Sequence, residues 1–300
     1  MKSNTASKPG PLSCALITPL LAIAALFAAP AVVRAQTFYV SSGDHTIDKV
    51  SSTGVVSLFA TLPNGSVPEG LAFDSIGNLY VADNQTNQIS KITSGGVVSL
   101  FATLPAAPLG LAFDTSGNLY AADLTTNQIS KISPDGLTVS TFATLSSPLG
   151  LAFDSSGNLY ATDQNTSQIS KITSGGVVSL FANLPGAPGG LAFDSSGNLY
   201  AAEQNTSQIS KITSGGAVSL FATLPAGFNP YGLAFDGSGN LYVADNSTAN
   251  QISQISADGL TVSTFATGIN RPKFIVPEPS TWALLAVGSA FLGRELWRRR

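Results

Sequence analysis

Five acidic residues recur at one spacing: Asp83, Asp123, Asp163, Glu203 and Asp245 each lie three residues beyond a tyrosine. Placed side by side on one face, they would form a ring of carboxylates. Such a ring suits a polar ligand or a divalent cation such as calcium. The competing reading is architectural, because an Asp can accept the backbone N–H groups of the turn that follows it. A motif present in nearly every period favours the architectural reading, and Ser42 stands at the matching place in the first period. A second set, Asp74, Asp114, Asp154, Asp194 and Asp236, sits within Asp-x-x-Gly-Asn segments. These read as turn formers at the opposite end of the strands.

Glu69 is a sharper candidate. Its counterparts are Leu109, Leu149, Gly189 and Tyr231, so it is not a repeated turn former. It could serve as a ligand-binding carboxylate near the mouth of a channel; the competing reading is a solvated side chain. His45 is the only histidine and has no identifiable Ser-His-Asp set around it, so it is expected in an exposed loop. The Gly-Gly pairs join strand to strand and do not make a phosphate loop. Tyr39, Tyr80, Tyr120, Tyr160, Tyr200 and Tyr242 recur with the period and read as packing rather than as a sugar platform. No residue is assigned a catalytic role, no metal site is assigned, and an enzyme is the less favoured reading.

These residues are positioned by a repeat. The glycine of Gly-Leu-Ala-Phe-Asp stands at Gly70, Gly110, Gly150, Gly190 and Gly232, in steps of 40, 40, 40 and 42 residues. A period of this size points to a solenoid or propeller. Each period offers four short strand-like runs, as in Leu71–Phe73, Leu79–Ala82, Gln88–Ile92 and Val97–Leu104. Asp74 to Asn78 and Ser94 to Gly96 read as hairpin turns, whereas the proline-bearing Leu104 to Pro108 reads as a crossing to the next sheet. Four antiparallel strands followed by a crossing make one propeller blade.

The ends of the repeat region complement each other. Thr37 to Leu62 resembles a period lacking its first strand, and Pro272–Val276 resembles the missing strand. Three strands from the front and one from the back complete a sixth blade, across 36–275. The expected fold is therefore an all-β, six-bladed β-propeller with four antiparallel strands per blade. Closure removes the open sheet edges. The crossings from Phe59 to Gly70 and from Phe221 to Gly232 are longer than that from Phe101 to Gly110, which marks their face as the expected binding face.

Between residues 36 and 275 there are 7 basic residues against 15 acidic ones, a net of −8. That charge disfavours nucleic acid and anionic lipid. The only cysteine, Cys14, precedes an apolar run at Ala15–Val33 that follows Lys2 and Lys8. Residues 1–35 read as a secretory signal ending in Val33-Arg34-Ala35. The mature chain then has no thiol, which excludes a disulfide, a thiolate metal site and a cysteine nucleophile. Residues 36–276 form the propeller. Residues 277–300 form a separate tail, with an apolar segment from Trp282 to Gly293 and a basic end at Arg298-Arg299-Arg300. With Leu296 and Trp297 and snorkelling arginines, that segment reads as a short transmembrane-like helix.

Val276-Pro277-Glu278-Pro279, an apolar stretch and an arginine-rich end together resemble the PEP-CTERM sorting signal. The resemblance implies export in a Gram-negative bacterium and a precursor tethered to the inner membrane. It also implies processing by an exosortase near Pro277, Glu278 and Pro279, and release to the cell surface or extracellular matrix. Pro-x-Gly-Leu-Ala-Phe-Asp-x-x-Gly-Asn-Leu-Tyr-Val-Ala-Asp resembles the NHL repeat, which implies a propeller. Val67-Pro68-Glu69-Gly70 resembles the start of regucalcin/gluconolactonase propellers, where the glutamate is a metal ligand. Two functions follow as expectations. The first is a non-enzymatic binding or scaffold module, monomeric, taking an exopolysaccharide or a protein. The second is a metal-dependent lactonase or related hydrolase using Glu69 and the rim acids.

Overall fold

The computed structural model describes residues 36–279. The leader read at 1–35 and the apolar tail lie outside the described residues. Among the described residues every regular element is a strand, and no helix is long and apolar enough to cross a membrane.

Six four-stranded antiparallel sheets follow one another around the ring. In blade 2 the strands are Pro68–Phe73, Leu79–Asp83, Gln88–Ile92 and Val98–Thr103, running from the innermost outwards. The innermost strand starts three residues earlier than the sequence reading places it. Pro68 lies opposite Asp83 and the register shifts before Leu71. Proline has no N–H to give a ladder, so it is accommodated at the first residue of a strand.

Blade 1 is built from both ends of the repeat region. Ile275–Pro277 pairs with Phe38–Ser41, with Tyr39 opposite Val276 and Val40 opposite Ile275. Thr46–Val50 and Val56–Thr61 complete the sheet. The closing strand was expected over Pro272–Val276 and instead runs to Pro277. The approach to it is irregular: Phe274 N–H donates to Ser41 Oγ at 2.9 Å, and Lys273 N–H donates to Ser41 O at 3.0 Å.

Each blade packs on the next through its tyrosine. Tyr80 lies edge-on to Phe101 of its own blade at 4.7 Å, and edge-on to Phe113 of blade 3 at 4.9 Å. The same arrangement recurs for Tyr120, Tyr160 and Tyr200. Each aromatic pair is worth about 0.5–1.5 kcal/mol beyond its buried area. The tyrosines are thus core residues, as their period suggested. Near the axis the innermost strands come so close that a Cβ on Gly110 would lie 2.1 Å from Leu149 O. That approach, rather than a turn, is why the motif holds glycine there.

Candidate functional site at the channel mouth and blade junctions

The five rim acids end the second strand of blades 2 to 6 and are buried. Asp83 Oδ1 accepts the N–H groups of Val67 at 2.9 Å and Gln85 at 3.2 Å. Asp123 accepts from Thr125 and Thr126, and Asp163 from Asn165 and Thr166. Asp245 accepts from Asn229 N–H at 2.9 Å and from the Ser247 hydroxyl at 2.8 Å. Glu203 is one carbon longer and reaches hydroxyls instead, those of Thr206 and Ser210. Burial raises the Asp83 pKa, but donors that include the Val67 and Thr86 N–H groups outweigh it and hold the group below the usual carboxylate range. In blade 1, Ser42 takes the same place and donates to Asn270 O at 3.0 Å. Among the described residues no three His, Cys, Asp or Glu side chains come close enough together to hold a metal ion.

Glu69 does not lie free in solvent. It is buried in the innermost strand of blade 2, and its Oε1 is bound by Lys273 Nζ from the segment that leads into the closing strand. Lys273 stands at the position of Glu69 in the closing segment. Around the channel this position therefore reads Lys273, Glu69, Leu109, Leu149, Gly189 and Tyr231. Leu109, Leu149 and Phe274 belong to one buried cluster against which Tyr231 packs. Burial pushes the Glu69 carboxyl up, while the nearby Lys273 ammonium opposes the rise. The Tyr231 hydroxyl is pushed well up, by burial first and by Glu69 second. Glu69 Oε2 is buried without a hydrogen-bond partner among the described residues. Sequence reasoning missed this pair because Glu69 and Lys273 are 204 residues apart. The available signal was that both follow a proline at the same point of the period.

His45 is half-buried rather than exposed. Its φ of 66° is the left-handed conformation, which Asn87, Asn127, Ser167, Ser207 and Asn250 also adopt at the matching positions. Its Nδ1 faces Ser66 O across the crossing, as the Ser207 hydroxyl faces Phe228 O. The residue thus tethers a loop.

A second concavity opens on the opposite face, between blades 4 and 5. It has a volume of about 460 Å³ and is lined by Asp154, Lys171, Phe181, Phe193, Asp194 and Ser195 among others. Asp154 Oδ1 closes its own turn by accepting from Ser156 and Asn158 N–H, while Oδ2 accepts from Tyr160 Oη at 3.3 Å and lies 3.8 Å from Lys171 Nζ. Lys171 also lies over the Tyr160 ring at 5.3 Å. Lysines stack in this way on Tyr39, Tyr80, Tyr120 and Tyr200. At Tyr242 the partner is Gln254, whose Nε2 donates to the hydroxyl at 3.0 Å.

The propeller's last strand runs directly into a segment with a known signature. Residues 276–300 match the PEP-CTERM protein-sorting motif. The chain carries an export and sorting signal. That motif indicates membrane-anchored sorting in Gram-negative bacteria and processing by exosortase-type machinery. No curated protein matches the sequence. Solved structures share the fold at low identity. A chain of a nidogen/laminin complex superposes with a TM-score of 0.73 at 22% identity, covering 82% of this chain and 98% of that one. A virginiamycin B lyase from Staphylococcus aureus, in a structure with quinupristin, gives 0.63 at 20%, covering 82% and 94%. A gluconolactonase from Xanthomonas campestris gives 0.62 at 19%, covering 70% and 79%. Proteins of such different roles on one framework establish architecture and leave activity to the site.

Proposed function

We propose that this PEP-CTERM-bearing chain is an exported, surface-associated propeller that binds a polymer without transforming it, and that the ligand is an exopolysaccharide held at the blade junctions. The observation that carries this reading is the cleft between blades 4 and 5. Its wall includes Phe181 and Phe193, and its polar lining includes a carboxylate, an ammonium and serine hydroxyls. A sugar ring offers one apolar C–H face and a rim of hydroxyls, and this lining complements both. The residues belong to the repeat, so related sets stand at successive junctions. A polymer of repeated units would engage several at once and gain avidity from weak single contacts.

Affinity electrophoresis through gels containing dextran or alginate tests the reading. The expected result is retardation by at least one polymer and its loss in a Thr115→Trp, Ser155→Trp, Ser195→Trp variant, which places bulky rings at both lips of the cleft between blades 4 and 5 and at the matching turn of blade 3, all from exposed positions. Unchanged mobility in both gels, or equal retardation of the variant, would sink it.

The structural likeness to a gluconolactonase keeps a hydrolytic reading in view. It asks Glu69 and rim acids to share a cation. The donor set fits this poorly: an ammonium already occupies Glu69 Oε1, and the rim carboxylates accept hydrogen bonds from their own turns and crossings. Lactone turnover that scales with added calcium and is lost in a folded Glu69→Gln variant would favour it over the binding reading.

A further inference from the structure

The sorting motif and the fold overlap. The matched segment begins at residue 276, yet the closing strand runs Ile275–Pro277. Register makes the overlap specific. Val276 lies opposite Tyr39 just as Ala72 lies opposite Tyr80. Two residues on, Glu278 therefore stands where Asp74, Asp114, Asp154, Asp194 and Asp236 stand in the other blades. Its backbone behaves accordingly. Glu278 N–H donates to Thr37 O at 2.8 Å, as Asp74 N–H donates to Asn78 O at 3.0 Å. Gln36 Nε2 donates to Glu278 O at 2.9 Å. Its charge also acts on Tyr39 as that of Asp74 acts on Tyr80, adding to the upward push of burial on the phenol.

We infer that Val276 and Pro277, in the innermost strand of blade 1, and Glu278, whose N–H extends its ladder, are also part of the sorting signal, and that processing cuts C-terminal to Glu278, leaving them in the released protein. The reason is access. A peptide bond inside a paired strand beside the channel cannot enter a protease cleft without unpairing that strand, which opens the ring. Pro277 is half-buried and paired with Phe38, whereas Glu278 is exposed. The first bond outside the ladder is Glu278–Pro279. There, or beyond, the acyl carbon passes to water. The peptide C–N bond breaks, the retained chain ends in a new carboxylate, and the departing tail keeps the amine with the transferred proton.

The full chain, expressed in a bacterium that releases another protein bearing this motif, supplies the test. Mass spectrometry of the released chain should find a C-terminus at Glu278 or a later residue. Hydrogen exchange on the intact precursor in detergent should show amides 276 and 278 as slow as their counterparts 72 and 74 in blade 2. A released chain ending at Pro277 or earlier overturns the inference. So does unprotected exchange at both amides, or a precursor that stays whole while the control protein is released. Failure of the polysaccharide test touches none of these outcomes.

Discussion

Blade 4 and blade 1 have the same four strands but are held at the axis by different chemistry. In blade 4 the innermost strand enters with Pro148-Leu149-Gly150, and a Cβ on Gly150 would lie 2.4 Å from Gly189 O. The contact is small and apolar. In blade 1 the corresponding residues are Pro272-Lys273-Phe274. Lys273 reaches Glu69 of blade 2, and the Phe274 ring lies edge-on to Tyr231 of blade 6 at 5.3 Å. The closing strand of blade 1 comes from the far end of the repeat region, more than two hundred residues from its partner, and side chains on both neighbouring blades hold its approach in place. A repeated junction needs only to approach closely; a seam must also be locked.

The largest expected effect breaks that lock. Removing one partner of a buried ion pair strands the other charge, at a cost of about 3–5 kcal/mol. Glu69→Gln or Lys273→Met should each lower the urea-unfolding free energy by this order. The double variant Glu69→Leu, Lys273→Met gives the seam the side-chain type that blades 3 and 4 carry there, and should recover most of the loss. A double variant as unstable as the singles would mean that the pair is not the lock.

Next comes the repeated junction. Gly110→Ala forces a Cβ against Leu149 O and should cost about 1–3 kcal/mol by overpacking. A thermal melt indistinguishable from the parent would show that the strands can part there cheaply.

The tyrosine hydroxyls sharpen the contrast on a smaller scale. Tyr160→Phe removes a bond to Asp154 and should cost about 1 kcal/mol. In Tyr39→Phe the matching acid is Glu278, for which no such bond forms among the described residues, so the loss should be less than half as large. Equal losses in chemical denaturation would erase the distinction.

The smallest effect depends on pH. Asp48 stands where the other blades have Ser90, Ser130, Ser170, Ser210 and Ser253. Burial, and secondarily the charge of Asp44, push its carboxyl up from 3.8 to about 6. A raised folded-state pKa means that the folded chain holds the proton more tightly. The stabilisation is then fully present below pH 3.8 and is lost as pH rises through about 6. At pH 7 the charged Asp48 costs stability, on the order of 1 kcal/mol once partial solvent screening is allowed for. Asp48→Asn should therefore raise the melting temperature at pH 7 and change little near pH 3.5. Stabilisation that is the same at both pH values would remove Asp48 as the cause.

Much of this was legible in the residues. Periodic glycines, turn aspartates and prolines fixed the number of blades and the position of every hairpin, because those features act over a few neighbouring residues. The rim acids were legible as turn formers for the same reason: Asp123 Oδ1 and Asp163 Oδ1 each accept two backbone N–H groups from within three residues. Glu69 was legible only as an exception. Its burial and its ammonium partner come from closure of the ring, which no local rule describes. The junction cleft was not foreseen either. Its residues are hidden in the repeat as ordinary packing and turn positions, and they become a concavity only where two blades meet.

The amino-acid sequence by itself determined the repeat, the strand order within each blade, the joining of the two ends of the repeat region and the presence of a sorting tail, since each is written in residue type and spacing. Tertiary structure alone decided that Glu69 faces Lys273 and that the sorting signal supplies the final strand. Both depend on where the ring brings distant segments together in space, and the distance across a closed ring is set by the packing of all six blades at once.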